Sequence, residues 1–122
     1  MAACLSARLG YNTLQQQQLR LAAMLHDVGK ITGPRELYSA NRKLTAEEFE
    51  QTKGHTVNGA AFLAHHDEPV FAMARIIAEQ HHENYDGSGY PHGLSGDAIA
   101  LDAAIVHAVD VYDNLRAQRP YR

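Results

Sequence analysis

Cysteine occurs once in the 122 residues and tryptophan not at all, and aromatic residues make up only 7% of the chain. The lone Cys4 excludes an intrachain disulfide, so the composition suits a reducing compartment and predicts a cytoplasmic protein. No apolar run approaches the roughly 20 residues of a membrane span. The N-terminal stretch to Gly10 carries Arg8 and lacks both an apolar core and a cleavage pattern, so no signal sequence is expected. Positive charge is scarce as well: 11 Lys and Arg face 14 Asp and Glu, a net of −3, which argues against a basic face for long nucleic acid. With 45% hydrophobic residues the chain can still bury one core, and it reads as a single domain over residues 1–122.

One absence is local. From Ile76 to Leu115 there is no Lys or Arg, yet the segment holds Glu79, Glu83, Asp86, Asp97, Asp102, Asp110 and Asp113 together with four histidines. Carboxylates buried together without basic side chains need positive charge from elsewhere, and a metal ion supplies it. Directly afterwards Arg116, Arg119 and Arg122 form the one dense basic cluster, a place for an anion to dock.

Helical periodicity organises the rest. Leu5 and Leu9 predict a short helix stopped by Gly10, and Asn12 or Thr13 caps a second whose Leu14, Leu21, Met24, Leu25 and Val28 face inward and which ends at Gly29. His26 and Asp27 fall in its last turn. Residues 30–44 read as a long loop with one helical turn at Arg35 to Tyr38. Thr45 and Glu48 form a capping box that opens a third helix, with Phe49, Thr52, Thr56, Ala60 and Leu63 on one face and His55 near its middle. A fourth runs from Pro69 to His81 and His82, with Phe71, Ala74 and Ile77 inward. The Gly-rich run from Glu83 to Gly96 excludes a regular element, and a last helix spans about Leu101 to Ala117. No period-2 alternation is sustained, so the expectation is an all-α bundle of about five helices.

His26, Asp27, His55, His81, His82 and Asp110 together offer four imidazoles and two carboxylates from four predicted helices. That donor set, with no thiolate, suits a pair of divalent ions, with iron or manganese favoured and zinc allowed. Lys30 adds a mobile point charge suited to a phosphoryl oxygen. His65 and His66 read as surface residues, His107 as a partly buried helix histidine, and His92 as a loop residue.

In order, the chain carries His-Asp-Val-Gly-Lys at His26, Lys-Leu-Thr-Ala-Glu-Glu at Lys43, His-Thr-Val-Asn-Gly at His55, His-His-Glu-Asn-Tyr-Asp-Gly-Ser-Gly-Tyr-Pro at His81, and Asp-Val-Tyr-Asp-Asn-Leu-Arg-Ala-Gln-Arg-Pro-Tyr-Arg at Asp110. These motifs resemble the HD-GYP family, a branch of the HD phosphohydrolases that hydrolyses bacterial cyclic di-GMP. The resemblance implies that His26, Asp27, His55, His81, His82 and Asp110 are metal ligands, with Asp27 bridging two ions. It places Lys30 near the scissile phosphate and Arg119 and Arg122 on ligand phosphates. Tyr90 and Pro91 belong to the Gly-Tyr-Pro loop, implied to border the substrate and to contact GGDEF-domain cyclases. Family members have an upstream helix donating a further His, and helices beyond the Arg-Pro-Tyr-Arg run. The expectation is therefore a domain shortened at both ends, with an apolar surface open to self-association. Gly33-Pro34-Arg35 stands where the family has Ile-Pro-Asp.

The implied reaction is metal-dependent hydrolysis of cyclic di-GMP to linear pGpG, or on to GMP. Two alternatives stand beside it: a catalytically silent signalling module that binds a cyclase or response regulator, and a relative that cleaves another phosphoester.

Overall fold

The computed structural model describes residues 2–116. It is all-α, with helices α1 (Ala2–Arg8), α2 (Thr13–Ala23), α3 (Arg35–Tyr38), α4 (Ala46–Thr52), α5 (His55–Leu63), α6 (Pro69–Gln80) and α7 (Leu101–Arg116), and 3-10 turns at Val28–Thr32 and Gly96–Ala98. The only strand-like pairing among the described residues is an isolated bridge between Asp86 and Ser95. No described helix is long and apolar enough to cross a membrane.

Helix α6 is the centre, packed by α2, α5 and α7, with α1 laid on α2 and α7. The core is built from Leu19 and Ala22 of α2, Leu63 of α5, Ala74, Ile77 and Ala78 of α6, and Ile105 and Val106 of α7. Its many alanines bring helix axes close, so a few large side chains suffice to fill the space between them. The connection between α1 and α2 is tied to α7 by the Tyr11 hydroxyl, which donates to the Asp102 carboxylate.

Three expectations need correcting. The inward face of α2 is Leu19 and Ala22, while Leu14, Leu21 and Met24 are exposed. A small residue carries that interface because the helices approach closely, and a reading weighted towards large residues passes over it. Helix α2 also stops at Ala23, so His26 and Asp27 follow the helix rather than lie in its last turn. Finally, the third expected helix is two, α4 and α5, broken at Lys53 and Gly54, and His55 opens α5. The predicted cap of α4 is present: the Thr45 hydroxyl accepts from the Glu48 amide while the Glu48 carboxylate accepts from the Thr45 amide.

Close approach fixes the turn carrying the His-Asp pair. A Cβ at Gly29 would lie 2.0 Å from the His55 carbonyl oxygen and 2.6 Å from the Gly59 amide nitrogen. Only glycine lets this turn rest against the start of α5, bringing Asp27 to His55.

Candidate metal centre

Each of three histidines sits just past a helix end or break. There the last-turn carbonyls lack a full set of helical partners, although Ala23 O also accepts the His26 amide at 3.3 Å, and Ile77 O, 3.1 Å from His81 Nδ1, accepts the His81 amide at 2.9 Å. His26 Nδ1 donates to Ala23 O (2.6 Å), His55 Nδ1 to Thr52 O (2.7 Å) and His81 Nδ1 to Ala78 O (3.0 Å). The spacing is three residues each time. The same local device therefore fixes all three rings and commits Nδ1 as the proton-bearing nitrogen, leaving Nε2 to point onward. A carbonyl has two lone pairs and near a helix end at least one is spare, so the chain breaks at 53–54 and beyond Ala23 leave acceptors within reach of the rings.

The three Nε2 atoms converge on one carboxylate. His55 and His81 approach Asp27 Oδ1 at 3.3 Å each, and His26 approaches Oδ2 at 3.1 Å. His55 and His81 stand 3.4 Å apart, Nε2 to Nε2. Ligand atoms of Asp27, His55, His81 and His82 all lie within 4.8 Å of one another. On the Oδ2 side, Asp110 Oδ1 comes within 3.9 Å of His26 Nε2, and Lys30 Nζ lies 3.3 Å from Asp27 Oδ2. Asp27 thus presents one oxygen to each of two groups of side chains.

These residues fit a divalent cation on their own chemistry. Neutral rings whose Nδ1 is protonated turn lone pairs toward an anion and toward each other, and three imidazoliums at this spacing would repel. His26 Nε2 and Asp27 Oδ1 are buried with no hydrogen-bond partner among the described residues, which is costly unless something else fills the role. Burial opposes the ionisation of Asp27, but its close contacts with His26, His55 and His81 outweigh it and hold the group far below the usual carboxylate range. Burial also works against a charged His26, yet the adjoining Asp27 raises it on balance. His82 goes the other way: burial, with His81 and His55 beside it, pushes it down to about 2, leaving a neutral imidazole suited to ligation.

Two cavities open on the cluster. One, of about 280 Å³, is lined by His26, Asp27, Lys30, His82, Asp110 and Asp113, with Asn114 at its edge. The other, of about 610 Å³, shares Lys30, His82 and Asn114 and extends past the rings of Tyr38, Phe49 and Tyr90. Arg42 and Lys43 add positive charge to its wall.

An HD domain profile matches this chain over residues 1–122. The chain belongs to the HD domain family. Its five motifs place it in the HD-GYP branch, in agreement with its relatives. It is 39% identical over 122 residues to the cyclic di-GMP phosphodiesterase response regulator RpfG of Xanthomonas campestris, covering 100% of this chain and 32% of that protein. A cyclic di-GMP phosphodiesterase of Thermotoga maritima is 36% identical over 118 residues, 97% of this chain and 32% of the relative. The 3'3'-cGAMP-specific phosphodiesterase 1 of Vibrio cholerae is 37% identical over 120 residues, 97% and 27%. The chain spans less than a third of the length of these curated relatives. An HD domain implies divalent-metal binding, and Asp27, His55, His81 and His82 form a cluster that could hold an ion.

Of the residues expected at the HD site, the fold brings together His26, Asp27, His55, His81 and His82, sets Asp110 and Lys30 at their margin, and lays Tyr90 on His82. Pro91 follows Tyr90 in a half-buried turn. Arg119 and Arg122 lie outside the described residues. His65 and His66 are exposed, as expected. His107 has a role the sequence did not specify: its Nδ1 donates to the His81 carbonyl at 2.8 Å, bracing the backbone beneath the His81–His82 pair.

Glu83 was missed. It is 1% exposed, and its two carboxylate oxygens accept the backbone N–H groups of His92 (2.8 Å) and Leu94 (2.9 Å). Both its oxygens are thus engaged by amides of the loop that follows. Adjacency to the His-His pair was the available signal, but only the returning loop reveals the role. Tyr38, whose hydroxyl donates to the same Thr52 carbonyl that holds His55, gave no motif signal at all.

Proposed function

We propose that this HD domain is a metal-dependent phosphodiesterase that hydrolyses cyclic di-GMP in bacterial second-messenger turnover, acting in the cytoplasm. The observation that carries the reading is the convergence of three carbonyl-fixed imidazoles on both oxygens of Asp27, with Lys30 on the open side. The relatives named for cyclic di-GMP and 3'3'-cGAMP support a cyclic dinucleotide as the substrate class.

His26, Asp27, His55, His81, His82 and Asp110 would hold the divalent ions. The oxygen and nitrogen donors favour iron or manganese, with zinc allowed. Divalent ions in such a site supply Lewis acidity to the phosphoryl group and acidify water at neutral pH. The chain's own residues do the rest. Lys30, which reaches both cavities, offsets the charge that builds on the phosphoryl oxygens. Arg119 and Arg122 would hold phosphates through paired N–H donors. The rings of Tyr38 and Phe49 give the larger cavity flat apolar walls for a purine, and Tyr90 borders it, with Pro91 next in the loop where a GGDEF-domain partner would dock.

The test is hydrolysis of cyclic di-GMP by Mn²⁺-loaded wild type and Asp27→Ala, with 3'3'-cGAMP run in parallel. We expect linear pGpG from wild type and at least a hundredfold loss in the variant. Undiminished hydrolysis in Asp27→Ala would contradict the assignment. Inert wild type that binds a GGDEF domain would make the chain a silent signalling module.

A further inference from the structure

Four histidines surround the candidate metal centre, and one is held differently. His26, His55 and His81 are each fixed by a bond from Nδ1 to the carbonyl three residues earlier. Nothing equivalent fixes His82: among the described residues no hydrogen bond to a carbonyl orients its ring. Its contacts are with rings. The Tyr90 ring lies parallel on it, 4.8 Å between centroids and 15° between planes, and His55 meets it edge-on at 5.0 Å.

Tyr90 is itself held on several sides. Its backbone N–H donates to His82 O at 3.1 Å, Phe49 meets its ring edge-on at 6.2 Å, and Lys53 Nζ lies 5.2 Å from its centroid. The loop bearing it is clamped by Glu83 through the amides of His92 and Leu94. Gly89 closes the loop, since a Cβ there would lie 2.3 Å from the His82 carbonyl oxygen. Loop, ring and ligand form one packed unit.

We infer that Tyr90 is the positioning residue of His82, standing in for the missing carbonyl bond, so that the Gly-Tyr-Pro loop sets metal affinity as well as bordering the larger cavity. The inference rests on the metal-centre reading above. Partners that fix a ligand ring through its far side tune metal affinity about 10- to 100-fold, and a stacked ring pair favours one orientation of its members. A partner that displaces this loop would then alter the metal centre without touching the ions, a coupling carried by one ring contact.

Co²⁺ titration of the full chain tests this, with the visible d–d bands reporting ligand geometry and a competing chelator giving affinity. Wild type and Tyr90→Phe should agree within about twofold. Tyr90→Leu and Tyr90→Gln, two variants so that either can carry the measurement, should weaken Co²⁺ about 10- to 100-fold and change the bands. In a His82→Ala background they should cause no further loss. Tight binding and unaltered bands in both ring-less variants, alongside weakened His82→Ala, would overturn the inference alone. So would losses that add fully to that of His82→Ala. Wild-type affinity in His82→Ala would overturn it by removing His82 from the ligand set. If Asp27→Ala also kept wild-type affinity, the metal-centre reading would fall with it.

Discussion

Asp27 and Gly29, two residues apart, do opposite work: one gathers charge and the other gives up a side chain so that the gathering can happen. A methyl at position 29 meets backbone atoms, which cannot rotate away. Gly29→Ala should therefore destabilise the fold by about 3 kcal/mol, the upper end of overpacking costs, as measured by urea unfolding. A loss below about 0.5 kcal/mol would mean that the turn and α5 are not in contact. At this scale the residues that cluster were legible because histidines and carboxylates carry their chemistry in the sequence itself, wherever the chain places them. Glu83 and His107 were not, since their partners are backbone groups, the amides of His92 and Leu94 and the carbonyl of His81, which only the folded chain brings near. Replacing Glu83 with Ala leaves two loop amides without their acceptor, at about 1 to 3 kcal/mol each. Earlier proteolysis within residues 86–94 should reveal it.

Among the elements, the helix ends matter more than the helices. The expected turn at Arg35 to Tyr38, the capping box at Thr45 and the start of α6 at Pro69 all matched, because caps and prolines act locally. The division of α4 from α5 was hidden: Lys53 and Gly54 keep right-handed helical angles, and apolar spacing runs across them. At the break the Thr52 carbonyl is taken by the local His55 ring and by the Tyr38 hydroxyl from α3, and neither contact shows in the apolar spacing. The entry to α4 has its own pH signature. Arg42, bonded to both Glu48 oxygens, and then the Thr45 amide pull Glu48 from 4.5 down to about 2. A carboxyl lowered by folding stabilises above its unfolded value and loses that effect as pH falls through the folded one. Thermal melts of wild type and Glu48→Gln, which keeps the capping box, should differ above about pH 4.5 and converge near pH 2. A difference that widens on acidification would contradict this sign.

For the whole molecule, the all-α class and the helix order were legible from the missing period-2 pattern, whereas the packing of the core was not: Ala22, Ala74 and Ala78 sit at its centre because closely packed helices favour small residues over the large ones that periodicity weights. Four segments meet at the cluster, the turn after α2, the start of α5, the end of α6 and the middle of α7, so metal should tie the molecule together. Mn²⁺ at about 100 times its dissociation constant should stabilise the fold by about 2.7 kcal/mol, or roughly 10 °C in melting temperature, reversed by chelator. The most direct measurement is the metal content of the chain after equilibrium dialysis against Mn²⁺, for wild type and Asp27→Ala side by side. The account predicts bound metal, up to two ions per wild-type chain, that Asp27→Ala no longer retains. A wild type that leaves dialysis without metal, or a variant that holds as much as wild type, would contradict it.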